Sequence, residues 1–116
     1  MPGLARAAEV ARLAGERADD AVAAALAAHG LRLEAVRAAG PDRVAAWLET
    51  DGYRIAVPFV LAGDVERDAE AVLAALRERP PGTWDARWAG TTADTADVRP
   101  AIAGTRWRLL QGDLEA

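Results

Sequence analysis

The dipeptide Asp51-Gly52 constrains the fold of this 116-residue chain more than any other feature in it. A two-residue hairpin turn needs positive φ at its centre, which Asp-Gly supplies, and such a turn sets the register of the segments on either side. In "RVAAWLETDGYRIAVPFVL" (43–61) that register places Leu48 against Ile55, Ala46 against Val57 and Val44 against Phe59. All six are apolar and fall on one face. The other face receives Glu49 opposite Arg54 and Trp47 opposite Ala56, so turn chemistry and binary pattern agree independently. Pro58 has no N–H to donate to a ladder. In this pairing its nitrogen turns away from the partner strand, so the hairpin tolerates it, but a third strand can pair there only incompletely. The strand at 53–61 is therefore expected at or near a sheet edge around Pro58.

Residues 3–29 read as helix, with Leu4, Ala8, Ala11, Ala14, Ala18, Val22, Ala25 and Leu26 recurring at steps of three and four and charged residues opposite. Gly15 weakens this stretch, and a kink or break into two helices is open between Gly15 and Asp20. Gly30 after His29 suits a helix stop. "LRLEAVR" (31–37) alternates as a first strand, with "AAGPD" (38–42) as a loop. A helix over 65–78 carries Val65, Ala69, Val72, Leu73 and Leu76 on one stripe, and Pro80-Pro81-Gly82 ends it. "TWDARWAG" (83–90) and "TRWRLL" (105–110) read as strands joined by a loop at 91–104. The expected order is α-β-β-β-α-β-β in one domain over 1–116, an α+β fold with a mainly antiparallel sheet and two helices packed on one face.

Composition narrows the chemistry. The chain has no Cys, Ser, Asn or Lys, and all fourteen basic residues are Arg. Thiolate chemistry and disulfides are excluded, leaving one His, six Thr, one Tyr, the eighteen carboxylates and the arginines. No apolar run is long enough to span a bilayer, and residues 1–15 lack the apolar stretch of a signal peptide. A bacterial cytoplasm or an assembled particle is the expected location.

A helix entered through Gly63-Asp64 raises the question of phosphate binding at its free N–H groups. Asp64 stands at the N-cap, where its carboxylate accepts those bonds itself, and Glu66, Asp68 and Glu70 follow. The anion is already built in. No pattern points to a cofactor or a metal, and no pair of carboxylates stands out as catalytic. His29 suits the negative end of a helix dipole better than the role of a base. The α-β-β-β-α order is also that of double-stranded RNA-binding domains, but the net charge of −4 and the acidic start of the second helix argue against nucleic acid. Three uses stand open for Arg87, Arg106 and Arg108 beside Trp84, Trp88 and Trp107: Trp in the core with Arg solvated, a protein interface, or base stacking.

"GYRIAVPFVLAGDVERDAEAVLAALRE" resembles a stretch in tail terminator or tail-completion proteins of long-tailed bacteriophages. In that family a helix precedes a small sheet, a V-x-V-P-like strand leads through a short turn into a helix, and a late strand follows. The resemblance covers 17–110 in element order and 52–78 in residue pattern; the N-terminal alanine helix and "QGDLEA" fall outside it. It implies a non-enzymatic structural protein that self-associates into a ring, typically six-fold, joining the tail tube to the head connector and contacting other structural proteins. The expected contact residues are Trp84, Arg87, Trp88, Arg106, Trp107, Arg108 and Pro58. The alternative from the residues alone is a small enzyme or ligand-binding domain with a pocket between sheet and helices, using Tyr53, His29 or a carboxylate.

Overall fold

A computed structural model describes residues 2–50, 53–80, 83–91 and 106–108. The elements are α1 (Pro2–Arg17), α2 (Asp20–Ala27), β1 (Arg32–Gly40), β2 (Arg43–Thr50), β3 (Tyr53–Val60), α3 (Val65–Glu78), β4 (Asp85–Thr91) and β5 (Arg106–Arg108). They build an α+β fold whose sheet runs in the order β1-β2-β3-β4-β5, antiparallel except for the parallel β4–β5 pair.

Three helices stand where two were expected, because the first helical stretch breaks. The break falls not at Gly15, through which α1 runs unbroken, but at Ala18-Asp19. There the Asp19 side chain accepts a hydrogen bond from the Val22 N–H at 3.2 Å and starts a new helix. α2 then ends at Gly30, whose φ of 74° suits glycine. The Leu31 N–H reaches Leu26 O at 3.0 Å and the Gly30 N–H reaches Ala27 O at 2.9 Å, the bond pair of a Schellman end, with Leu26 and Leu31 both buried.

The hairpin register is as the turn chemistry requires, with Val44 paired to Phe59, Ala46 to Val57 and Leu48 to Ile55; the Asp51-Gly52 turn itself lies outside the described residues. The sequence expectation for β1 was too short. The strand continues through Gly40, so the "AAGPD" loop shrinks to a turn at Pro41-Asp42. Two register shifts, between Leu33 and Ala35 and between Ala38 and Gly40, absorb the extra residues. Alternation cannot reveal a bulge, since each inserted residue inverts the pattern after it.

The expectation that β3 lies at an edge is corrected, because β3 pairs on both sides. The reason given for it holds locally. Its ladder to β4 includes Tyr53, Ile55 and Ala56 and stops short of Pro58, so the missing N–H is never asked to pair. Thr91, expected in a loop, closes β4; 92–105 and the ends of the expected 105–110 strand lie outside the described residues.

All three helices contribute to one core with one face of the sheet. Ala7, Val10, Ala11 and Ala14 of α1, Val22 and Leu26 of α2, and Ala69, Val72, Leu73 and Leu76 of α3 meet Val44, Ala46, Leu48, Ile55, Val57 and Ala86. Burying each large side chain here contributes roughly 1.5–3 kcal/mol before conformational entropy is subtracted. On α1 the buried stripe centres on Val10, and Leu4 and Ala8 of the expected stripe are exposed.

Candidate interaction face

With the helices on one side, the sheet's second face is covered by none of the described elements. Strict alternation along β2 and β3 delivers Arg43, Ala45, Trp47, Ala56, Pro58 and Val60 to this side, and pairing of Ala56 with Arg87 extends it onto β4. At one end the face is electrically closed: Glu49 accepts from Arg32 at 2.7 Å and Glu34 from Arg54 at 2.8 Å. These pairs are partly exposed and contribute little to stability. Next to them the Arg37 guanidinium lies 5.1 Å from the centre of the Trp47 ring, a cation–π contact.

At the other end Ala45 and Ala56 are buried, 3% and 0% exposed, while Arg43 and Val60 are exposed. A trough of about 350 Å³ runs over the small side chains of Ala45 and Ala56, between Arg43, Pro58 and Val60 on one flank and Asp85 and Arg87 on the other. Val60 is 77% exposed, one of two large apolar residues so placed among those described. Neither Arg43 nor Arg87 forms an ion pair with the described residues. The Nε of Arg87 is moreover shut from solvent with no hydrogen-bond partner. An orphaned buried donor costs on the order of 1–3 kcal/mol. The face thus combines an apolar floor with under-paired guanidinium groups.

Of the residues expected to make contacts, Pro58 and Arg87 stand on this face. Arg106 pairs with Asp85 and Arg108 with Arg87 on the neighbouring strand, while Trp88 pairs with Ile55 and Trp107 with Ala86. Trp84 is a correction. It is 2% exposed and belongs to the helix-side core, so it offers no contact surface.

Two carboxylates at the β3–α3 junction are engaged by backbone N–H groups. Asp64 accepts from the N–H groups of Glu66 and Arg67 at the start of α3, which fills the place an anion would take. Asp68 is the residue that sequence reasoning missed. It is 5% exposed, and its two carboxylate oxygens accept from the Ala62 and Gly63 N–H groups, each at 3.0 Å. Arg6 of α1 donates to Gly63 O at 2.9 Å, sits 4.0 Å from Asp68 and binds Asp42 in the β1–β2 turn. This clasp ties α1, the first hairpin and the β3–α3 junction at one point. Its sequence signal was an acid at the core spacing of Val65, Ala69 and Val72.

His29 is exposed beside a cleft of about 410 Å³ between the ends of α2 and α3. There the Arg77 guanidinium is held protonated above its usual range by its hydrogen bond to Glu78, with Glu70 and Asp19 adding through-space attraction. Among the described residues no three His, Cys, Asp or Glu side chains cluster to hold a metal, and no helix is long and apolar enough to cross a membrane. Comparison with protein-family models, curated proteins and solved structures returned no match to this chain.

Proposed function

We propose that this chain is a non-enzymatic structural module that associates with copies of itself, and with other structural proteins, through the open face of its sheet. The observation that carries this role is the trough: Val60, 77% exposed, and two arginines without ion-pair partners among the described residues stand around the buried Ala45 and Ala56. Arg is among the side chains, with Trp and Tyr, that most often dominate association energy. The specific form of the role is a tail terminator ring that joins a phage tail tube to its head connector. Its support is the sequence resemblance over 52–78 and the sequence of helix, small meander and capped helix.

Multi-angle light scattering over rising concentration tests the role. The wild-type chain is expected to form a discrete oligomer, and Val60→Glu, at an exposed position, is expected to reduce it to monomer with an unchanged melting temperature. A wild-type chain that stays monomeric at every concentration would contradict the proposal.

A specific feature favours a second use. A cleft of about 510 Å³ between α2 and β1 is lined by Val22, Leu31 and Leu33, within the size range of small-molecule sites. If this cleft is the working site, the chain is a monomeric ligand-binding domain, and small apolar ligands raise its melting temperature.

A further inference from the structure

The net charge of −4 is unevenly placed. On the uncovered side of the sheet, Glu49 answers Arg32 and Glu34 answers Arg54. Among the described residues that leaves Arg37, Arg43 and Arg87 against the single carboxylate of Asp85. The face is therefore net +2 in a chain whose total is −4, and β5 brings Arg106 and Arg108 into register beside Asp85 and Arg87. Arg67 and Arg79 on the helical side also form no ion pair with the described residues. They stand among the acids of α3 and its cap, where Asp64, Glu66, Asp68, Glu70 and Glu78 outnumber the arginines, so no positive excess builds up there.

The three arginines come to the face from three strands. Arg43 is on β2, Arg37 pairs with Ala45 from β1, and Arg87 pairs with Ala56 from β4. Arg37 and Arg43 are exposed and Arg87 is half-exposed. Ala45 and Ala56 are too deeply buried to touch a partner, so apolar contact at this end falls to Val60, 77% exposed, and to the half-exposed Pro58. A guanidinium fork matches a carboxylate or phosphate with two parallel hydrogen bonds, so the arginines alone accept either anion. The apolar residues decide between them. A nucleic acid strand finds no use for Val60 and Pro58, and it needs aromatic planes on which to stack its bases. Trp47 is half-buried and already carries Arg37 over its ring.

We infer that the uncovered sheet face takes an acidic, partly apolar segment of a different protein. Its carboxylates meet Arg37 and Arg43, and its apolar side chains lie against Val60 and Pro58. This rests on the proposed reading of the face as an association surface and adds the chemistry of the partner; it does not require that copies of the chain bind one another. Opposite charge across such a contact sets partner choice and speeds encounter.

Fluorescence anisotropy of a labelled decapeptide alternating Glu and Leu, titrated with the full chain in dilute solution, tests this. The wild-type chain should bind with a micromolar dissociation constant that weakens as salt rises, and should not bind the matching Lys-Leu peptide. Arg43→Glu should weaken binding at least about tenfold, whereas Arg67→Glu, which reverses an unpaired arginine on the helical side, should stay within about twofold of wild type. If Arg43→Glu melts early, Arg43→Gln at the same exposed position should still weaken binding about threefold. The inference is overturned if wild type does not bind the Glu-Leu peptide, if both peptides bind alike, or if the changes at Arg43 and Arg67 have equal effects. A short oligothymidylate that binds more tightly than the peptide and is lost in Arg43→Glu would also overturn it, by making the face a nucleic-acid surface. A chain that oligomerises yet ignores the peptide sinks only this inference, whereas a monomer that binds the peptide sinks only the self-association.

Discussion

Asp68 and Trp84 show how differently two buried polar side chains can be treated. Asp68 spends both oxygens on the N–H groups of Ala62 and Gly63, which have no strand to pair with where the chain leaves β3. Asp68→Ala leaves two N–H groups without acceptors, and chemical denaturation should show a loss of about 2–4 kcal/mol. Arg6→Ala, which frees Gly63 O and Asp42 at a half-exposed site, should cost less. Trp84 is the reverse case, since its indole Nε1 is buried with no partner. Trp84→Phe removes an unsatisfied donor while keeping an aromatic ring, so it should be neutral to within about 1 kcal/mol, whereas Trp84→Ala should cost about 3–5 kcal/mol. The sequence held the signal for Asp68 but not for the orphan indole. An acid at a core position of a helix stripe is visible from spacing, while the partners of one nitrogen depend on packing that no local pattern encodes.

At the scale of elements, what was legible followed from strictly local chemistry. The β2–β3 register, the capped start of α3 and its stop before Pro80 each depend on a few adjacent residues; Arg79 takes the extended ψ of 135° that a following proline favours. The bulges in β1, the sidedness of α1 and the neighbour on the far side of β3 were not legible, because each is settled by elements distant in sequence. α1 also offers a direct check. A Cβ at Gly15 meets nothing within 4 Å and the residue lies inside a continuous helix, so Gly15→Ala should stabilise the chain by up to about 1 kcal/mol. One turn earlier, the hydrogen bond from Arg12 holds the Glu9 carboxyl below its ordinary value of 4.5. A folded pKa below the unfolded one adds stability that is present above about pH 4.5 and lost as pH falls through the folded value. Glu9→Gln should therefore flatten part of the acid limb of stability against pH and leave the neutral region nearly unchanged.

For the whole molecule, the main consequence of the fold is asymmetry. One face of the sheet is closed by three helices, and the other is left with a small-residue floor, a stacked Arg37–Trp47 pair and guanidinium groups short of partners. The alternation of β2 and β3 announced both faces, but only the pairing with β4 showed that Arg87 joins the second one. An interface built on such charges weakens with salt, so the oligomer mass should fall as ionic strength rises from about 0.05 M to 0.5 M. Because the chain contains no cysteine, a single introduced thiol reports on one position without background. Val60→Cys and Val57→Cys sit on opposite faces of β3, and their rates of alkylation in dilute and concentrated solution test the central claim most directly. The account predicts that the thiol at 57 stays slow throughout, while the thiol at 60 reacts fast when dilute and becomes protected as concentration rises. Equal rates at the two positions, or a rate at 60 that ignores concentration, would contradict it.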